Sequence, residues 1–150
     1  MQNLTLSHST SSDTQISGEI FLTNSQEIVG TYEFYVKDES FIAAINIFPE
    51  FQKKGIGFFV FKSCFDELNK CNSLKYFTAS WSVGKEYYHL PNQQSINLTE
   101  FLNHVNKGTE ESKALWKTPS GKWLKKIGFT KATVTQRDSE NIRAIFTKEI

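Results

Sequence analysis

The chain has 150 residues and a mass of 17.2 kDa, with 17 Lys+Arg against 16 Asp+Glu and a net charge of +1. That length suits one domain, and the charge balance argues against a protein that coats nucleic acid, which carries a basic excess. With 39% hydrophobic and 14% aromatic residues, the chain can bury roughly two-thirds of its unfolded surface, which excludes wholesale disorder.

The N-terminus is polar, and residues 7–15 form a Ser/Thr-rich stretch expected to be mobile. It lacks the basic start and apolar run of a signal peptide, and no window approaches the length of a membrane span. The expectation is therefore a cytoplasmic protein with no membrane partner, read as one domain over residues 1–150. Cys64 and Cys71 then read as reduced thiols buried in the core. His8, His89 and His104 are scattered and no CxxC occurs, so no metal site is expected.

From Ile16 the pattern turns strand-like. Ile16–Leu22, Glu27–Val36 and Ser40–Phe48 are rich in β-branched and aromatic residues, with turn signals between them, which predicts an antiparallel meander. The last of these is almost wholly apolar from Phe41 to Phe48 and reads as a strand buried on both faces. Pro49 ends it. From Ile56 to Lys70 the period becomes helical, with Ile56, Val60, Phe61, Cys64, Phe65 and Leu68 on one stripe. Leu74–Val83 is again a strand, so strand, turn, helix and strand form a βαβ unit.

Residues 84–112 read as a polar insertion. Within it, Asn97-Leu98-Thr99-Glu100 predicts a capped helix start, and that helix stops at Gly108. A further helix is expected over 110–117. Thr118-Pro119 opens another, with Pro at its first position and Gly128 at its end. Thr130–Gln136 and Ile142–Thr147 predict a final hairpin.

The segment from Ile45 to Gly57 carries the chemistry. A strand runs into a loop with two glycines that opens onto an amphipathic helix. First-turn N–H groups lack internal partners, and the helix dipole is positive there. Gly55 and Gly57 clear the backbone of Cβ atoms, while Lys53 and Lys54 add positive charge. A pyrophosphate is the natural guest. The competing reading is a strand-to-helix turn that needs glycine for its shape alone. Neither a GxxxxGK[ST] loop nor a GxGxxG fingerprint is present.

The string Ile47-x-Pro49-x-x-Gln52-x-x-Gly55-x-Gly57 resembles the coenzyme A signature of the GNAT N-acetyltransferases. Lys122-Trp123-Leu124-Lys125-Lys126-Ile127-Gly128-Phe129 is similar to the end of the family's next helix. The resemblance spans about residues 16–147. It implies an α/β fold of the acyl-CoA N-acyltransferase type, a mixed, mostly antiparallel sheet flanked by helices. It also implies acetyl transfer from acetyl-CoA to an amine of a small molecule or protein, by direct attack. On this resemblance, Gln52, Lys53, Lys54, Gly55, Ile56 and Gly57 hold the pyrophosphate. The strand edge at Ile45, Asn46 and Ile47 pairs with the pantetheine arm, and the N–H of Ile47 or Phe48 polarises the thioester. The positions of the family's usual tyrosine acid and glutamate base fall on Leu124 and Phe41.

Substitutes for those groups are Glu33, Ser80 and His89. Glu33 lies mid-strand, where a carboxylate can serve as a base or simply face solvent. Ser80 lies near the end of its strand, on the same face as Tyr76, Thr78 and Ser82, and can meet the thioester or acceptor. His89 follows Tyr87 and Tyr88, which could wall an acceptor, in the insertion expected to lie beside the acceptor cleft. Lys122, Lys125 and Lys126 share a helix surface, yet the chain has only Arg137 and Arg143, which weighs against dedicated nucleic-acid readout. Two further readings stand: a CoA-binding sensor without turnover, and a toxin-like acetyltransferase of aminoacyl-tRNA. The sequence leaves room for a homodimer.

Overall fold

The computed structural model describes residues 3–149. Their backbone contacts gather into two compact units that divide between Leu74 and Lys75.

The first unit is an antiparallel sheet of β1 (Leu4–Ser11), β2 (Gln15–Leu22), β3 (Ile28–Lys37) and β4 (Ser40–Ile47), with helix α1 (Ile56–Cys71) packed on β3 and β4. The register explains the core. Ile16 stands beside Phe34, and Tyr32 beside Ile45, on the face that α1 covers. The six residues of the predicted helical stripe are the six that α1 buries. Phe41 sits between Phe34, Phe61 and Phe65, with ring centroids 5.4–6.3 Å apart, a spacing that favours tilted and offset aromatic contacts.

Cys71, expected to be buried with Cys64, is exposed at the last residue of α1. The Ser/Thr-rich segment 7–15 supplies most of β1, a turn and the first residue of β2. Its polar side chains point to solvent along a sheet edge, while its backbone pairs with β2. Gly18 makes the close pairing feasible, since a Cβ there would stand 1.6 Å from the Ser7 carbonyl oxygen. The buried Tyr32 hydroxyl donates to that carbonyl (3.1 Å) and also meets His8 Nδ1. Strand β4, expected to be buried on both faces, is open on one. Ile42 is 46% exposed, and Ala44 and Asn46 are exposed with it. An antiparallel sheet with one solvated face is the ordinary arrangement when helices cover the other.

In the second unit β5 (Tyr76–Ser82) and β6 (Lys131–Arg137) flank β7 (Asn141–Thr147), all antiparallel. Phe77, Trp81 and Trp116 close around Phe146, with centroids 5.2–6.4 Å away. Helices α2 (Ile96–Asn106), α3 (Glu111–Leu115) and α4 (Pro119–Lys126) bury Leu98, Phe101, Leu115 and Leu124. Thr118 caps α4 as expected, accepting from the Gly121 N–H (3.0 Å). The cap of α2, in contrast, is Ser95, whose hydroxyl accepts from the Leu98 N–H (3.1 Å). Asn97, expected at that cap, instead accepts from the Ser120 N–H (2.9 Å) and donates to the Ser120 hydroxyl (3.0 Å), tying α2 to α4.

Candidate functional site

The β4–α1 connection is built by local hydrogen bonds. Pro49–Phe51 form a single 3₁₀ turn, with the Phe51 N–H donating to the Phe48 carbonyl (2.8 Å). The Gln52 side chain reaches back and donates to the Ile47 carbonyl (2.9 Å), which fastens the loop to the end of the strand. The chain then turns through two left-handed residues, Lys53 (φ 62°) and Gly55 (φ 80°), the second of which is the N-cap of α1. A left-handed residue beside a right-handed helical one turns successive N–H groups toward one point, the geometry of a backbone anion nest. Holding a lysine in that region costs about 1–3 kcal/mol, strain of the kind found at functional sites.

The N–H groups of Lys53, Lys54, Gly55, Ile56 and Gly57 find no acceptor among the described residues; α1's own ladder begins with the Phe59 N–H on the Gly55 carbonyl (3.2 Å). Lys53, Lys54 and Gly55 are exposed, and a Cβ on Gly55 would meet nothing within 4 Å. The Lys54 ammonium lies 5.8 Å from the centre of the Phe51 ring. Five amides, two cations and open space above them fit a diphosphate group.

Two of the expected donors are otherwise engaged. The Gln52 N–H donates to the Pro49 carbonyl (3.3 Å), so Gln52 shapes the loop with both its backbone and its side chain. The Phe48 N–H donates to the Val29 carbonyl (2.9 Å). The alternation of an antiparallel ladder then directs the peptide groups of Ile45 and Ile47 away from β3, while Asn46 faces it. Of the two candidates for polarising a thioester, the Ile47 N–H is the one directed to that edge.

The three substitutes stand on separate elements. Glu33, half-buried, faces the side of the sheet opposite α1, beside Ala44 across the strand, and accepts a hydrogen bond from Tyr35. That bond pushes the Tyr35 phenol above its ordinary range. Ser80 is exposed on β5, on the face away from Ala79 and Trp81. His89 is half-buried in the loop after β5, its ring 5.3 Å from that of Tyr88. No hydrogen bond links Ser80 or His89 to another side chain among the described residues. That loop is closed at its base: the Gly84 N–H donates to Gln93 (2.8 Å) and the Ser95 N–H to Ser82 (3.1 Å). Phe41 and Leu124 are core residues, 1% and 0% exposed. Sequence reasoning passed over Tyr35, two residues along β3 from Glu33 on the same face, and Arg143, which the strand register sets beside Ser80.

The sequence matches no protein-family model and no curated protein. The structure does resemble solved ones. The PaiA N-acetyltransferase of Thermoplasma acidophilum, in complex with coenzyme A, superposes at a TM-score of 0.51 with 12% identity, over 89% of this chain and 61% of that one. The ribosomal-protein-S5-alanine acetyltransferase of Vibrio fischeri superposes at 0.50 with 14% identity, over 91% of this chain and 63% of that one. A chimera of the Vibrio cholerae spermidine N-acetyltransferase SpeG and hSSAT superposes at 0.51 with 10% identity, over 90% and 66%. The chain thus spans less than two thirds of each of these proteins. The fold is that of the GNAT acetyltransferases, an α/β fold.

Proposed function

We propose that the protein is an acetyl-CoA-dependent N-acetyltransferase of the GNAT type. The observation that carries this reading is the row of five amides, Lys53 to Gly57, that find no acceptor among the described residues at the head of the sixteen-residue helix α1. The neighbour that binds coenzyme A adds support. Acetyl-CoA, when bound, supplies the thioester carbon that an acceptor amine attacks. The amides and the two lysines bind the diphosphate, and the edge of β4 at Ile45 and Ile47 orients the pantetheine arm. The Ile47 N–H donates to the thioester oxygen. Catalysis is then mainly positioning, with Glu33, Ser80 or His89 taking the proton from the amine while the C–S bond breaks and coenzyme A leaves as its thiolate. The acceptor is a small-molecule or protein amine, as in neighbours whose names specify spermidine or ribosomal protein S5.

A second reading, a CoA-binding sensor without turnover, is favoured by one observation. The positions that match the family's usual acid and base are Leu124 and Phe41, both sealed in cores. Calorimetric titration with acetyl-CoA, followed by transfer assays on a panel of amines, separates the two. Binding with transfer supports the enzyme and binding alone the sensor. No heat at roughly tens of micromolar acetyl-CoA removes both.

A further inference from the structure

Strand β1 is held to the first unit by little apolar burial. Of its eight residues only Leu4 and Leu6 are even half-buried, and its ladder to β2 is interrupted by a bulge between His8 and Thr10. At this weak point side chains from three elements meet. Tyr32 of β3, buried, brings its hydroxyl to the Ser7 carbonyl (3.1 Å) and to His8 Nδ1. The other nitrogen of that ring, Nε2, stands 3.9 Å from the Glu67 carboxylate of α1. No other carboxylate lies within ion-pair distance of His8 among the described residues.

Hydrogen counting decides what this cluster can do. A phenol has one hydrogen to give, and a neutral imidazole also has one. With the Tyr32 hydrogen on Ser7, the hydroxyl can only accept from His8, so Nδ1 carries a hydrogen. A neutral ring of that kind would turn a bare Nε2 toward the Glu67 carboxylate, which is repulsive. An imidazolium satisfies all three contacts. Nδ1–H donates to the Tyr32 oxygen, the Tyr32 O–H donates to Ser7, and Nε2–H faces the carboxylate. At 3.9 Å this last contact is too long for a hydrogen bond and acts as an attraction between charges. A neutral ring with its hydrogen on Nε2 must instead draw the Tyr32 hydrogen to Nδ1, and the Ser7 carbonyl loses it. The other groups facing the cluster do not compete. Burial, then nearby Cys64 and Glu67, push the Tyr32 phenol above its ordinary range, and burial pushes the Cys64 thiol up to about 12, so both stay neutral. From β2, Gly18 stands beside His8, while Glu19 stands beside Ser7 on the alternate face.

We propose that His8 is a proton-operated clasp: as an imidazolium it fastens strand β1 to Tyr32 and Glu67, and on losing a proton it releases the Ser7 carbonyl and loosens the strand. Histidine is the side chain whose charge ordinarily changes between about pH 5 and 8. The contacts favour the charged ring, so the clasp is closed in mild acid and opens as the pH rises through that range. The proton leaves Nδ1 for solvent, the Tyr32 hydrogen turns from Ser7 to the bare nitrogen, and the ion pair with Glu67 is lost. The device is independent of the acetyltransferase reading above.

The test is amide hydrogen exchange on the isotope-labelled full chain at about pH 5.5 and about pH 8, with intrinsic exchange rates divided out. The amides shared by β3 and β4 serve as the internal reference. The β1 amides should lose protection about five-fold or more at the higher pH, the worth of one hydrogen bond, while the reference amides keep theirs. His8→Gln should level this difference and Glu67→Gln should reduce it; both side chains are exposed, so neither change disturbs the core. Ring nitrogen shifts should show both His8 nitrogens protonated at the lower pH and Nε2 alone at the higher. Equal β1 protection at the two pH values overturns the proposal. So does a difference that survives His8→Gln or stays undiminished in Glu67→Gln, or a bare Nδ1 at the lower pH.

Discussion

Gly55→Ala separates the binding role of the β4–α1 loop from its structural role. The added methyl would meet no protein atom within 4 Å, so the fold suffers no clash. What remains is the left-handed backbone at φ 80°, which costs an alanine about 1–2 kcal/mol. For a chain of this length that lowers the melting temperature by about 2–8 °C. The same methyl intrudes on the open space at which the neighbouring amides converge. Acetyl-CoA affinity should therefore fall at least ten-fold, about 1.4 kcal/mol or more, while circular dichroism stays native. Thermal melts and calorimetry on the same preparation check both halves. Unchanged affinity would refute the claim that these amides hold the cofactor, and a collapse of the fold would refute the claim that the loop faces open space.

Gly121→Ala should behave in the opposite way. Its Cβ would stand 2.0 Å from the Leu115 carbonyl oxygen and 2.8 Å from the Trp116 Cα, both backbone atoms, so the α3–α4 corner must open at a cost of about 1–3 kcal/mol in urea unfolding. A colourimetric thiol reagent at mildly alkaline pH should label Cys71, which is exposed, and spare Cys64, which is buried, until the protein unfolds. Burial, with a smaller contribution from Glu67, pushes the Cys64 thiol up to about 12. The unfolded chain loses this proton first, at about pH 8.5, and then binds fewer protons than the native state. Stability should thus fall as pH rises from there toward 12, and Cys64→Ala should remove that part of the alkaline slope.

How much of this was legible beforehand depends on whether the cause is local. The stripe of α1, the Thr118-Pro119 start of α4 and the final hairpin follow from spacing and capping, which neighbouring residues decide. Strand β1 did not show, because serines and threonines there satisfy the backbone only through β2, and Gly18 reveals its purpose only when Ser7 lies against it. The open face of β4 was misread because an apolar run does not say which side a helix covers. Ser95 was passed over as the α2 cap because Asn97 offers an equally good capping side chain, and only α4 draws that side chain away. In the site itself, the glycines, the lysines and Gln52 were visible as a motif. The bond of the Phe48 amide to Val29 was not, since it joins distant residues, and the bond of the Gln52 amide to Pro49, though local, belongs to a 3₁₀ turn that the motif does not announce.

The central claim is that the peptide amides from Lys53 to Gly57 bind the diphosphate of acetyl-CoA. A crystal structure of the chain with acetyl-CoA tests it most directly. The account predicts diphosphate oxygens within hydrogen-bonding distance of several of those five N–H groups. A cofactor seated elsewhere, or a diphosphate held only by lysine side chains while the amides point past it, would contradict it.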